Sequence, residues 1–181
     1  VEEARNAIDD PKLWPPPTSS RNLAEGYRYV VGFLYGSLSR SLGPTAEFPY
    51  FVRIIQPLNR STIDNADAIY LAAPIDGNHS YTIKGRTGDT RHWRGEAPVR
   101  TKPKAPHYVI FQTPSGYSGD SGSIDEMAPG SRANCDVLDS SDLQVDEDGT
   151  FEILLAPERP DGYRGNFMRT RARKRRPNEK G

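Results

Sequence analysis

Between residues 23 and 42 the apolar side chains Leu23, Tyr27, Val30, Val31, Leu34, Leu38 and Leu42 recur at steps of three and four, and Gly43-Pro44 then ends the run. That spacing places them along one side of an α-helix. Ser19 or Ser20 supplies the hydroxyl that caps its first turn, and a glycine followed by a proline is a common helix stop. From residue 47 the period changes from near 3.6 to 2, so the chain is limited to one substantial helix followed by strands. Gly32 and Gly36 repeat a small-xxx-small spacing inside the helix. In a chain without a membrane span, this spacing points to close packing against another element rather than to a dimer face.

The strand signals come in order. "EFPYFVRIIQP" and "AIYLAAPI" are rich in β-branched and aromatic residues, and the second leads through Asp76-Gly77-Asn78 into "SYTIKGR", which reads as a hairpin. On its return arm Tyr81, Ile83 and Gly85 face one way and Thr82, Lys84 and Arg86 the other, the pattern of a sheet with one side buried and one wet. Thr87-Gly88-Asp89 makes the next turn, with "TRHWR" a short strand after it and "GEAPVRTKPKAP" a loop. "HYVIFQT" is a buried strand. "LQV" and "FEILLAP" flank Asp146-Glu147-Asp148-Gly149 as a second hairpin, with Phe151, Ile153 and Leu155 alternating inward. With 16 glycines and 16 prolines among 181 residues, long helices cannot fill the rest. The expected fold class is therefore mainly β (α+β): antiparallel hairpins in a sandwich, preceded by one amphipathic helix.

Four segments follow from this reading. Residues 1–18 end in "LWPPPTSS" and form an extended, proline-rich arm, with Trp14 placed to pin it. Residues 19–43 are the helix, packing on the sheet; residues 44–167 are the sandwich; residues 168–181 are a basic, disordered tail. The last thirteen residues, "RTRARKRRPNEKG", carry seven Lys or Arg and one Glu, so the body before them is acidic although the whole chain has no net charge. An acidic body argues against a nucleic-acid surface and leaves only nonspecific polyanion contacts for the tail.

One cysteine, Cys135, rules out an internal disulfide and any cysteine-rich zinc site. The opening "VEEARNAIDD" is acidic where a secretory signal would be basic, and the apolar run from Tyr29 to Leu38 is too short to span a bilayer. A cytoplasmic protein without a membrane span is expected.

Several stretches imitate catalytic or metal motifs. Gly119-Asp120-Ser121-Gly122 spells the surroundings of a chymotrypsin-like nucleophile. A serine of that kind needs a base and a third group orienting the base. Only His79, His92 and His107 are available, none in that family's setting, and one small sandwich cannot supply its two barrels. "QVDEDGTFEIL" fails as a calcium loop because Gln144 and Leu155 stand where carboxylates belong, so a hairpin turn is the better reading. The three histidines lie thirteen and fifteen residues apart, on different elements, and no metal is assigned to them. "NRS" at 59–61 and "NHS" at 78–80 are acceptor triplets that matter only in a secreted protein.

No catalytic residue and no cofactor are assigned. The candidate ligand surface is the wet face of the middle hairpins, where Tyr70, Tyr81, Arg86, Arg91, His92 and Trp93 converge on this reading. Aromatic rings beside arginine suit sugar rings or small carboxylates. The competing explanation makes Tyr81 and Trp93 ordinary core residues. An enzymatic alternative, a hydrolase or lyase acting on a small polar substrate, would use His92 with Asp89 or Arg91. A third reading is a domain that only packs against another domain or subunit.

The run "NADAIYLAAPIDGNHSYTIKGRTGD", followed by "SSDLQVDEDGTFEILLAPERPDGYRGNF", resembles a bacterial family known as domain of unknown function twelve-fourteen. The shared pattern is Tyr70, Ile75-Asp76, Tyr81-x-Ile83-x-Gly85, Asp148-Gly149-x-Phe151-Glu152 and Glu158-Arg159-Pro160, and the likeness covers about residues 20–167. The resemblance implies a jelly-roll-like sandwich, often beside a companion domain, and no assigned activity or cofactor; a companion domain or a homo-oligomer is the expected partner. After Asn166-Phe167 this chain departs from the pattern into "MRTRARKRRPNEKG", which predicts a truncated or altered C-terminus without a closing strand.

Overall fold

A computed structural model describes residues 2–8, 10–13, 19–56, 58, 67–116 and 134–171. The chain divides into two compact units, Val1–Ile75 and Asp76–Gly181. The fold is α+β, mostly sheet, with one long helix.

In the first unit, helix α1 (Glu2–Asn6) and a single 3-10 turn (Pro11–Leu13) precede helix α2 (Ser20–Leu42). The extended arm expected over residues 1–18 is thus helical at its start. Three of its four prolines sit at 15–17, after these helical residues, while Glu2 and Glu3 in the first turn and Arg5 in the last suit the helix dipole. Trp14 and the prolines lie outside the described residues. Ser19 caps α2 by accepting a hydrogen bond from the Asn22 N–H at 3.1 Å, and Gly43 follows the last turn. Strands β1 (Val52–Arg53) and β2 (Leu71–Ala72) pair antiparallel, and the Ile54 N–H donates to the Tyr70 carbonyl at 3.1 Å.

The second unit holds β3 (Tyr81–Arg86), β4 (Ile110–Pro114), β5 (Asn134–Asp139), β6 (Thr150–Ala156) and β7 (Asn166–Arg169). One sheet has the order β3-β6-β7, and β4 and β5 form another. Leu143, Ile153, Leu155 and Met168 make the buried centre, with Tyr81, Ile83, Trp93, Phe111, Leu138, Val145 and Phe151 packed around it. Phe111 meets Phe151 edge to face at 6.0 Å, so β4 and β6 share this core.

Both predicted turns form, but neither hairpin does. Asp76 accepts hydrogen bonds at Oδ1 from the Asn78 N–H (2.8 Å) and Asn78 Nδ2 (2.7 Å), and its own N–H donates to the Tyr81 hydroxyl at 2.9 Å. Such a turn is satisfied by its own side chains and redirects the chain without requiring its two arms to pair. β2 pairs with β1, and β3 takes β6 as its partner, with Tyr81 opposite Leu155, Ile83 opposite Ile153 and Gly85 opposite Phe151. In the second turn Gly149 has φ 87° and Asp146 accepts from its N–H at 2.9 Å. The upstream arm Leu143–Val145, however, is not a strand.

The antiparallel expectation is corrected at β7, which runs parallel to β6 with Ile153 opposite Asn166 and Ala156 opposite Arg169. The loop between them turns at Gly162, φ 75°, where the Tyr163 N–H donates to the Pro160 carbonyl at 3.1 Å. That reversal brings the chain back to re-enter beside Ile153 in the same direction. β7 also corrects the boundary drawn at 167 and the expected loss of a closing strand. Met168 is a fully buried core residue and Arg169 ends the strand. Its apolar Phe-Met pair decides the matter, because both side chains are taken up by the core ahead of the charged residues that follow.

Asn166 fastens the start of β7. Its Oδ1 accepts from the Gln144 N–H at 2.7 Å, and its Nδ2 donates to the carbonyls of Gln144 (2.8 Å) and Glu152 (2.9 Å). A side-chain amide thus stands in for the ladder that residues 143–145 do not make. At the other end Asp136 Oδ2 accepts from the Arg169 N–H at 2.9 Å and the Thr113 hydroxyl donates to the Arg169 carbonyl at 2.6 Å. These two bonds tie β7 to the β4–β5 sheet.

Candidate functional site

The short strand predicted at "TRHWR" is a 3-10 helix, Arg91–Arg94. Asp89 is the cause. Its carboxylate accepts from the Val99 N–H at 2.5 Å, the Arg91 N–H at 3.2 Å and Arg91 Nε at 3.3 Å, which curls the backbone instead of extending it. Its backbone joins the returning loop, with the Asp89 N–H donating to Pro103 O at 2.7 Å and the Ala105 N–H donating to Asp89 O at 3.1 Å. The Asp89 side chain is only 5% exposed. Hydrogen bonds stabilise its charged form, the Val99 N–H foremost, and hold its carboxyl below the usual carboxylate range.

His92 and Trp93 converge on one acceptor. Trp93 Nε1 donates to the Pro106 carbonyl at 2.8 Å, and His92 Nε2 lies 2.9 Å from the same oxygen. A carbonyl only accepts, which assigns the proton to His92 Nε2. Nδ1 is then buried without a hydrogen-bond partner among the described residues. The His107 ring stands edge-on to His92 at 6.2 Å.

Five of the six expected ligand residues lie in the second unit, and they do not form one wet surface. Tyr81 and Trp93 pack against the core. The period-2 position of Tyr81 on β3 suits a buried face as well as a binding face, the 3-10 turn carries Trp93 to the same core, and both end partly buried against it. Arg86 stays exposed and donates from Nε to the Asp148 carbonyl at 3.2 Å; Arg91 is held by Asp89 and His92 by Pro106. Tyr70 belongs to the first unit and is exposed beside β2. His92 meets a carbonyl and Asp89 meets amides and a guanidinium, so these two side chains make no base-and-orienter pair of the kind proton transfer requires.

The other imitated motifs resolve in the same way. The Thr150 hydroxyl donates to Asp148 Oδ1 at 2.6 Å, and its N–H reaches the same oxygen at 2.9 Å, so the acidic turn satisfies its own carboxylate. His79 lies 3.7 Å from Asp76 at the surface. Among the described residues no three His, Cys, Asp or Glu side chains are grouped to hold a metal ion. Ser121 and the triplet at 59–61 lie outside the described residues. No described helix is long and apolar enough to cross a membrane.

On α2 the close packing expected at Gly32 and Gly36 is present, and what sequence reasoning missed is the exposure of the apolar row. Its buried residues are Gly32 and Gly36, whereas Tyr27, Val31, Leu34, Leu38 and Leu42 are 50%, 65%, 46%, 49% and 82% exposed. At 100° per residue the glycines sit roughly 140° around the helix from that apolar row. The helix therefore buries only its glycines, while its large apolar side chains stay exposed, Tyr29 and Phe33 on the glycine side included. The glycine spacing was the available signal, since a residue without a Cβ admits the closest neighbour.

These features define a mainly-sheet α+β protein with an uncovered apolar helix face. No protein-family model matches the chain, and no curated protein matches it. Among solved structures it is similar to the crystal structure of an uncharacterized protein from Burkholderia cenocepacia, with a TM-score of 0.68 and 22% identity over 93% of this chain. The chain spans 39% of that protein's length. At this identity the likeness establishes a shared fold and nothing further.

Proposed function

We propose that this chain is a non-catalytic interaction module that docks on another folded domain through the outer face of α2. The observation that carries the reading is the row Tyr27, Val31, Leu34, Leu38 and Leu42, five large apolar side chains at helical spacing and largely exposed. Exposed contiguous apolar surface of this kind is characteristic of interaction sites. Spacing by four, three, four and four residues is the pattern by which a helix fills a partner's groove. A partner domain as the occupant follows from the resemblance to family twelve-fourteen, which implies a companion domain. In the narrower form of the proposal the chain is a jelly-roll-like member of family twelve-fourteen, working in the cytoplasm beside a companion domain. Support comes from where the quoted pattern falls: Tyr81-x-Ile83-x-Gly85 is β3, and Asp148-Gly149-x-Phe151-Glu152 is the turn into β6.

The test is binding of an apolarity-sensitive dye by the full chain and by a Val31→Glu/Leu38→Glu double variant, alongside sedimentation. Strong dye binding that the variant loses, with unchanged circular dichroism, is expected. Equal dye binding by both proteins would mean that the face is not available, and the docking reading would fall. Self-association abolished by the variant would assign the face to a second copy instead.

A further inference from the structure

We propose that a groove in the first unit, between the C-terminal half of α2 and the β1 segment, binds a small oxyanion of carboxylate or phosphate type. The groove has a volume of about 240 Å³, and its lining includes Tyr35, Gly36, Ser39, Arg40, Arg53 and Gln56. Two arginines thus line a single small space. The ion pairs among the described residues join Arg28 to Glu25, His79 to Asp76, Lys84 to Glu152 and Arg91 to Asp89, and use neither Arg40 nor Arg53.

Only one of the two arginines has a reason within the fold to be where it is. Arg40 is half-buried in the last turn of α2, where a cation meets the carbonyl end of the helix dipole. Arg53 has no such explanation. Its Nε donates to the Ile55 carbonyl at 3.0 Å, which fixes the plane of the guanidinium through one nitrogen. Its two terminal nitrogens have no described partner. A planar fork oriented in this way matches the paired oxygens of a carboxylate or phosphate, and two like charges around one groove are relieved by an anion between them. Tyr35, Ser39 and Gln56 line the same groove and carry hydroxyl and amide groups able to donate to an oxyanion. At roughly 30 Å³ per water, the space suits a ligand of a few heavy atoms.

The experiment is calorimetric titration of the full chain with succinate and, separately, inorganic phosphate, each against sodium chloride at matched ionic strength. Saturable binding is expected for at least one of them, weakened about tenfold or more by Arg40→Gln and by Arg53→Gln and unchanged by Arg100→Gln, an exposed arginine of the second unit. The more tightly bound of the two names the source of the oxyanion. Arg53 is exposed and tolerates replacement, so its variant keeps the test valid if Arg40→Gln does not fold. Heat no greater than that of chloride, or equal weakening in Arg100→Gln, would overturn the proposal.

Discussion

Replacing Asn166 by alanine isolates the clamp at the start of β7. Asn166 is 7% exposed and its amide makes three hydrogen bonds, of 2.7, 2.8 and 2.9 Å, to the backbone of Gln144 and Glu152. At a net value of about 1 kcal/mol for each, Asn166→Ala loses about 3 kcal/mol, because the amide and two carbonyls lose the partner that replaced water. For a chain of this size that is a fall in melting temperature of about 6–12 °C. Asn166→Asp keeps the acceptor for the Gln144 N–H but puts a carboxylate oxygen where two carbonyls need a donor, so it destabilises at least as much at neutral pH. Urea unfolding followed by tryptophan fluorescence is the assay, with Trp93 reporting from the edge of the core. A loss below about 0.5 kcal/mol for Asn166→Ala, or wild-type stability for Asn166→Asp, would refute the clamp; the first threshold is half of one typical bond.

Two further outcomes follow from local geometry. Gly149 and Gly162 both have positive φ, but an added Cβ at Gly149 collides with the Thr87 carbonyl whereas one at Gly162 meets nothing within 4 Å. Gly162→Ala therefore costs about 1 kcal/mol from backbone strain alone and Gly149→Ala costs more than twice that, measured by the same urea assay. The carboxyls of Asp76, Asp89, Asp139 and Asp148 are all held below their ordinary range, chiefly by hydrogen bonds from Asn78, Val99, Ser141 and Thr150 respectively. A folded value below the unfolded one means that the unfolded chain binds more protons in acid. Stability is then full above about pH 5 and falls as the pH drops through the ordinary carboxylate value, near 4, toward the lowered folded values. Urea midpoints at pH 7, 5, 4 and 3 will show this decline, and Asp89→Asn will flatten it; an unchanged acid slope in that variant would remove Asp89 from the account.

Local sequence determined what local physics controls. The Ser19 cap and the stop at Gly43 set α2, the alternation of Tyr81, Ile83 and Gly85 set the inward side of β3, and the side chains of Asp76 and Asp148 set their turns within two residues of themselves. Partner choice was another matter. A period of two states which side of a strand is buried and is silent on which strand lies beside it, so β3 pairing with β6 and β7 running parallel to β6 emerged only in three dimensions. The same limit governs the candidate site. Tyr81 and Trp93 look alike as ligand-binding or core aromatics until Leu143, Ile153 and Met168 are seen packed among them. Likewise, a helix with apolar residues on one side and glycines on another has two faces that can be buried. Tertiary packing chose the glycines, because a residue without a Cβ admits the closest neighbour, and it left Tyr27, Val31, Leu34, Leu38 and Leu42 exposed.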